Sequence, residues 1–512
     1  MSRFLHLLLH RSTWLVVALV VQIAALAVVF VRFQTYFVYW YGIFFVLSMV
    51  VVAYVLSRRT DPAYKLAWVV PILLVPIVGG LLYLMFGGHR ISPRRVRRMQ
   101  RVDTRMQEFL PPPESAGELR IMLPAEDAAV QARYLRDYAF SPPYQHTYTE
   151  YFPVGEEQFE QMKRELRLAQ RFIFLEYFII GHGIMWDEIL EILREKAAAG
   201  LDVRVIYDDF GCLSRLPLGY ERQLRRMGIR CEVFNPLVPV LSSRANTRDH
   251  RKICVIDGGV GFTGGINLAD EYINAESPLG HWKDTALMMR GEAVWSLTIM
   301  FLSMWEYLAS ERVDFNLFAP LSGMADIFRD VGVVQPYCDN PLDDESVGQT
   351  VYLNLINKAK RYVYITTPYL IPGDTLTTAL CNAGKAGVDV RIITPHIPDK
   401  WYVHAVTRAN YEVLIRSGVR IYEYTPGFMH AKMVMVDDEY ASIGTVNMDY
   451  RSLFLHFECG VWLYRAPCIL AMLEDYRRTL AQCYEYTLRD CRRTRWYTRL
   501  GRQLLRAFAP LM

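Results

Sequence analysis

No Cys-x-x-Cys pair occurs in this 512-residue chain, and its nine cysteines (212, 231, 254, 338, 381, 459, 468, 483 and 491) are scattered and odd in number. That spacing argues against a zinc ribbon and a disulfide framework, and it suits a reducing, cytoplasmic setting for the body of the chain. No run with metal-ligand spacing is present, so neither a metal nor another cofactor is expected. Acidic residues are nearly missing from both ends. Positions 1–105 hold 13 Lys and Arg against Asp61 and Asp103, and positions 489–512 hold seven Arg against Asp490. The formal net charge of +4 therefore hides ends of +11 and +6 around a middle of −13. A nucleic-acid groove needs its cations over the working face, so nucleic acid is not an expected partner. Basic ends on an acidic body suit a protein held against anionic lipid. With 52% apolar and 13% aromatic residues, the chain can build a large core as well as membrane segments, and its length suits two or three domains.

Long runs without charge open the chain. Positions 14–31 are apolar except for Gln22, and 36–56 are apolar and aromatic. Both approach the roughly 20 residues that a helix needs to cross a bilayer. A third run, 66–86, is broken by Pro71, Pro76, Gly79 and Gly80. A cleaved signal peptide fits the first run poorly, because no small-residue cleavage site follows it and a second run begins within five residues. Arg58, Arg59 and Lys65 share one side with the cluster Arg90, Arg94, Arg95, Arg97, Arg98 and Arg101 if the broken run enters and returns. The expectation is a multi-pass anchor in the cell membrane over 1–86, of two spans plus a re-entrant segment, with three spans as the alternative and the body in the cytoplasm. A basic and proline-bearing connection covers 87–135. In the basic tail, 489–512, Arg495, Arg499, Arg502 and Arg506 recur at helical spacing opposite Trp496, Tyr497, Leu500, Leu504, Leu505 and Phe508. Such a helix either lies on an anionic interface or docks its apolar face on the body.

The middle of the chain is written twice. DEILEILREKAAAGLDVRVIYDD (187–209) is echoed by DTLTTALCNAGKAGVDVRIITPH (374–396), each a helical pattern, a glycine and a Val/Ile-rich strand. RFIFLEYFII (171–180) and RYVYITTPYLI (361–371) precede them, and MGIRCEVFNP (227–236) and SGVRIYEYTP (417–426) follow. Parts recurring in one order predict an α/β fold of two tandem repeats, 136–325 and 326–488.

Each repeat ends in the same motif. HRKICVIDGGVGFTGGIN carries His250, Lys252, Asp257 and Asn267, and HAKMVMVDDEYASIGTVN carries His430, Lys432, Asp437 and Asn447 at identical spacing. Strand alternation turns each His and its Lys to one face. Each half thus offers a titratable imidazole beside a fixed cation, as phosphate chemistry requires, while Asn267, Asn447 and Thr445 can donate to non-bridging oxygens. Gly264, Gly265 and Gly444 let the backbone approach a phosphate closely.

The paired motif resembles the signature of the phospholipase D superfamily, over most of 136–488. The resemblance implies one central active site shared by the two repeats, metal-free chemistry, and a catalytic set of His250, Lys252, Asp257, His430, Lys432 and Asp437. Within that set the two aspartates read more as anchors of strand ends. His250 would attack phosphorus to form a phosphohistidine, and His430 would protonate the leaving alcohol. A carboxylate further along each half, Asp284 in HWKDT and Glu458 in LHFE, would hold its histidine's tautomer. LEYFII, YDDFG, NTRDHRKICVID, GGINLADEYI, TTPYLIP, GTVNMDYRSLFLHFE and the closing AFAPLM are further similar to bacterial cardiolipin synthases. That family joins two phosphatidylglycerols to give cardiolipin and glycerol, with no nucleotide. A membrane-bound phospholipase D hydrolase or another phosphatidyltransferase would keep the same residues and remains the alternative. Where Gly264-Gly265 stands, many superfamily members have Gly-Ser, so one half lacks a hydroxyl. His146, His182, His281, His396, His404 and His456 lack the paired spacing and read as surface or packing residues. Of these, His281 and His456 stand close to the two carboxylates, and Tyr369 and Pro372 fall where they would shape a cleft.

Overall fold

Apolar side chains alternate along the strands of each repeat so that both faces of a central sheet are covered. The computed structural model describes residues 37–58, 62–83, 93–111, 122–237, 246–320, 332–343 and 345–511, with isolated positions among 17–28 and at 87 and 119. Half of the first expected membrane run, 14–31, lies outside the described residues.

In the first repeat, β1 (Thr147–Phe152), β2 (Phe172–Tyr177), β3 (Asp202–Asp208), β4 (Arg230–Phe234), β5 (Lys252–Ile256), β6 (Val260–Gly264) and β7 (Ala286–Gly291) form one sheet in the order β1-β7-β6-β5-β2-β3-β4. The second repeat has β8 (Val333–Asp339), β9 (Tyr362–Thr366), β10 (Asp389–Pro395), β11 (Arg420–Tyr424), β12 (Met433–Val436), β13 (Tyr440–Gly444) and β14 (His456–Tyr464) in the matching order β8-β14-β13-β12-β9-β10-β11. A last strand, β15 (Cys483–Tyr486), is added antiparallel to β11. In both sheets the strands that follow helices are parallel and the motif strands are antiparallel. The duplication read in the sequence is a duplication of topology.

The two sheets face one another. Phe174, Ile253 and Leu287 share a core with Met433, Met435, Ile443 and Val461 of the other sheet and with the buried helix Val294–Ala309. The opposite face of the first sheet, with Ile173, Leu175 and Val205, is covered by the helices Gly155–Leu168 and Ile184–Ala198. Helices Val347–Lys358 and Gly373–Lys385 cover the second sheet in the same way.

The segment expected as a connection is built into this body. Helix Pro93–Gln107 lies on Val294–Ala309, where Arg98 donates to the Glu306 carbonyl at 2.9 Å and Arg105 pairs with the Glu306 carboxylate. Helix Glu126–Tyr138 buries Ala128, Ala132 and Leu135 against Val333, Tyr337 and Val351, so it belongs to the second repeat although it precedes the first.

At the N-terminal side, the 21-residue helix Phe37–Ser57 carries no charge. The broken third run becomes two helices, Pro62–Leu74 and Pro76–Leu82, that fold together at Val75. A Cβ on Gly79 would come within 2.3 Å of the Pro71 carbonyl oxygen, so only glycine allows this close return. Among the described residues, no helix is long and apolar enough to cross a membrane, and the first side chains of Phe37–Ser57 lie outside the described set. At the C-terminal end, helix Trp496–Ala507 packs on Trp401–Arg416. Docking of its apolar face on the body is overturned, because Trp496, Leu500 and Leu504 are 76%, 53% and 59% exposed while Arg502 and Arg506 are half-buried.

The motif aspartates are anchors. Asp257 accepts from the backbone N–H groups of Gln170, Arg171 and Phe172 at 2.7, 2.7 and 2.9 Å, tying the end of β5 to the start of β2. Asp437 does the same for Lys360, Arg361 and Tyr362 at 2.7, 2.9 and 2.8 Å. Both lie in the left-handed region, at φ 53° and 55°, which a short polar side chain tolerates. Neither reaches the central cavity, which corrects their inclusion in the catalytic set. Asp257→Ala should therefore lower unfolding free energy by about 2 kcal/mol or more, since three donors lose a charged acceptor. Denaturant unfolding measures this, and an unchanged midpoint would contradict it.

Candidate active site

Each motif histidine stands where the two sheets are stitched together. The short strand Arg248–Asp249 pairs in parallel with His456 and Phe457, at the start of β14 in the other repeat. Gly427–Met429 pairs in parallel with His281–Lys283 of the first repeat. The His250 N–H donates to the Phe457 carbonyl at 2.9 Å, and the His430 N–H to the Lys283 carbonyl at 2.8 Å. Each histidine is therefore hung beside the strand that carries the other repeat's carboxylate.

The side chains follow. His250 Nδ1 lies 2.9 Å from Glu458, and His430 Nδ1 lies 2.5 Å from Asp284. Both expected carboxylates are in place, but each serves the histidine of the opposite repeat and not its own. A carboxylate at Nδ1 keeps the proton there and leaves Nε2 with its lone pair for the cavity. Burial, together with the Lys252 and Lys432 cations, pushes the His250 ring well below the usual range. Burial and Lys432 push His430 down to about 4. Both rings are therefore neutral near pH 7.

The lysines sit behind the histidines. Lys252 Nζ donates to the His250 carbonyl at 2.5 Å, and Lys432 Nζ stands 2.9 Å from His430 Nδ1. Strand alternation is not what joins each pair, because β5 begins only at Lys252 and β12 only at Met433. Burial pushes the Lys252 ammonium down to about 7 and that of Lys432 to about 8. A bound phosphate would restore both to full charge.

The two carboxylates are seated differently. Glu458 accepts from the hydroxyls of Thr445 and, at 2.6 Å, Ser452. Asp284 accepts from the Thr285 N–H at 2.8 Å. A Cβ on Gly265, the counterpart of Thr445, would fall 2.1 Å from Asp284 Oδ1. The missing hydroxyl of the first repeat is thus room for a carboxylate. This corrects the expected phosphate role of Thr445, whose hydroxyl is spent on Glu458 and the backbone of Cys459. Asn267 is also committed, accepting from the Ile179 N–H at 3.0 Å and donating to the Tyr272 hydroxyl at 2.6 Å. Asn447 lines the cavity with its Oδ1 unpartnered.

A cavity of about 810 Å³ lies between the repeats, with Phe178, His250 and Asn267 on one wall and Tyr369, His430 and Asn447 on the other. Tyr369 is fixed by a 2.5 Å hydrogen bond to Asp399, while Pro372 lines a separate, smaller pocket. His281 is turned away, its Nδ1 3.0 Å from the Tyr424 hydroxyl. His456 does reach the site. Its ring centroid is 5.7 Å from that of His250, and neither ring nitrogen has a hydrogen-bond partner. Among the described residues, the donor atoms of His250, His456 and Glu458 lie within 4.8 Å of one another, a grouping able to ligate a metal ion. Two of these three already form the pair that fixes the His250 tautomer. Ser452 and the cavity-lining Arg248 and Arg451 escaped motif reading. They belong to the NTRDHRK and NMDYRSLF stretches, but their types alone carry no mark of a role.

The family model described as "Cardiolipin synthase, PLD-like domain" matches residues 162–282 and 352–481, and "Phospholipase_D-nuclease N-terminal" matches 46–88. A cardiolipin synthase of Halalkalibacterium halodurans is 33% identical over 476 residues, covering 92% of this chain and 94% of the relative. One from Geobacillus kaustophilus is 35% identical over 479 residues, covering 92% and 94%. Among solved structures, the phosphatidylserine synthase of Haemophilus influenzae shares the fold with TM-score 0.56 at 16% identity, over 75% of this chain and 97% of that one. Two duplicated sheets, two crossed His–carboxylate pairs and this likeness over nine-tenths of its length identify the chain as a member of the cardiolipin synthase family, phosphatidyltransferases built on paired phospholipase D-like domains.

Proposed function

We propose that the chain joins two phosphatidylglycerol molecules into cardiolipin and glycerol through a phosphohistidine on His250. The observation that carries this reading is the pair of neutral histidines, one from each repeat, on facing walls of one cavity. His250 Nε2 attacks the phosphorus of the first lipid, and the glycerol oxygen leaves with a proton from His430. The phosphate's negative charge offsets the lysine cations that depress His430, so the ring can hold that proton once lipid is bound. The second lipid's glycerol hydroxyl then gives its proton back to His430 as its oxygen attacks phosphorus and displaces His250. No water, nucleotide or net proton is consumed.

Purified protein given phosphatidylglycerol alone, with excess chelator, should yield cardiolipin and glycerol in equal amounts. Phosphatidic acid and glycerol would mean hydrolysis instead. Loss of all turnover on chelation, restored by one metal, would contradict the mechanism, and His250, His456 and Glu458 would then be the ligands to suspect.

We further infer that the chain works on the membrane in a multi-pass form. The exposed apolar stripe Trp496, Leu500 and Leu504 is flanked by the exposed Arg495 and Arg499, and Trp401, 72% exposed, stands at the start of the helix beneath. Phe37–Ser57 and the broken third run pack on one another and on Tyr450, Leu455 and Leu511. Tyr450 also lines the cavity, so the lipid side and the reaction side meet there. An apolar face ringed by arginine suits an anionic interface. Leu500→Glu with Leu504→Glu should lower turnover on phosphatidylglycerol vesicles while leaving turnover in detergent micelles intact. Equal loss in both would count against an interfacial role.

A further inference from the structure

We propose that Arg248 forms a second anion subsite, which holds the phosphodiester of the acceptor lipid while the first lipid's phosphate is on His250. The inference rests on the transfer reaction proposed above and extends it to how the second substrate is recognised.

Arg248 is 2% exposed and lines the central cavity, yet neither terminal guanidinium nitrogen has a hydrogen-bond partner. Its nearest carboxylate is Asp208, at 3.8 Å. That carboxylate is already engaged: Oδ1 accepts from the N–H groups of Phe210 and Gly211 at 2.8 and 3.2 Å, and Oδ2 from that of Asp249 at 3.0 Å. The guanidinium lies over the Phe210 ring, 4.4 Å from its centroid. A buried guanidinium whose forked donors are left open is suited to an anion that arrives with substrate.

The rest of the cavity is not built this way. Arg215 is neutralised by Glu271 at 2.7 Å. Two residues before the other histidine, the counterpart of Arg248 is Phe428. Four residues after the motif asparagine stands Glu271 in the first repeat but Arg451 in the second, and Arg451 lines the same cavity. The pseudo-symmetry is thus broken so that added cations gather on the His250 side. The acceptor's hydroxyl attacks phosphorus bound to His250 from the His430 side, in line with the P–N bond it breaks, and its own phosphodiester, three carbons away, must be held within the same cavity. Positions 248 and 250 are separated by about 7 Å along extended backbone, comparable to the three-carbon bridge between the two phosphates of the product.

Two reactions of the full-length protein in detergent separate the acceptor from the donor. One is cardiolipin formation from phosphatidylglycerol, whose acceptor is anionic. The other is exchange of labelled free glycerol into phosphatidylglycerol, whose acceptor is neutral, and both use the same donor step. For Arg248→Gln the ratio of cardiolipin formation to glycerol exchange should fall by about tenfold or more, and Arg248→Lys should recover part of it. An unchanged ratio, whether both rates persist or fall together, would overturn the subsite. Failure of the wild-type protein to catalyse either reaction would instead overturn the proposed function.

Discussion

The crossing of the two His–carboxylate pairs is the constraint on which the structure depends. A histidine that must present Nε2 to phosphorus needs its Nδ1–H held, and here the holder is always on the other sheet. Neither repeat can complete its own histidine, so two sheets of matching order must meet face to face, in register, through a common core. The short parallel pairings at Arg248–Asp249 and Gly427–Met429 are the seams that set this register. Asp257 and Asp437 work one layer behind, fixing the strands on which the seams depend.

Within this frame, small departures from symmetry distinguish the two halves. Gly265 opens space for Asp284, whereas Thr445 donates to Glu458. Phe428 closes around His430 with Trp282, at ring distances of 5.9 and 5.3 Å, where Arg248 stands on the other side. Burial and two lysine cations hold both histidines neutral, against the opposing pull of the carboxylates, until an anion arrives. Charge is also unevenly distributed along the chain: the middle carries −13, while both ends are basic.

The sequence carried the duplicated α/β topology, because the apolar runs of 171–180 and 361–371 and the glycine stops at Gly200 and Gly387 are local signals. It also carried the histidines and lysines, because their spacing is repeated, and Asp284 and Glu458 through the family resemblance. It could not carry the crossing of Asp284 and Glu458, which depends on how two sheets dock and leaves no trace in spacing. For the same reason Glu126–Tyr138 read as part of a connection, although its alanines fill the core of the later repeat. Thr445 read as a phosphate donor because a hydroxyl's partner is invisible without tertiary structure. His456 read as a surface or packing residue for want of a paired motif, with its nearness to Glu458 the one sign that it could reach the site. The amphipathic tail was legible as a helix, but which face it would expose was not.

The most direct measurement traps phosphate on the protein from a nitrophenyl phosphodiester, whose leaving group needs little protonation. Protein with His430→Ala should accumulate phosphate on a peptide containing His250. Because each carboxylate serves the opposite repeat, Asp284→Asn should behave like His430→Ala, and Glu458→Gln should slow phosphorylation as His250→Ala abolishes it. Rapid phosphorylation in Glu458→Gln with none in Asp284→Asn would contradict the crossed site.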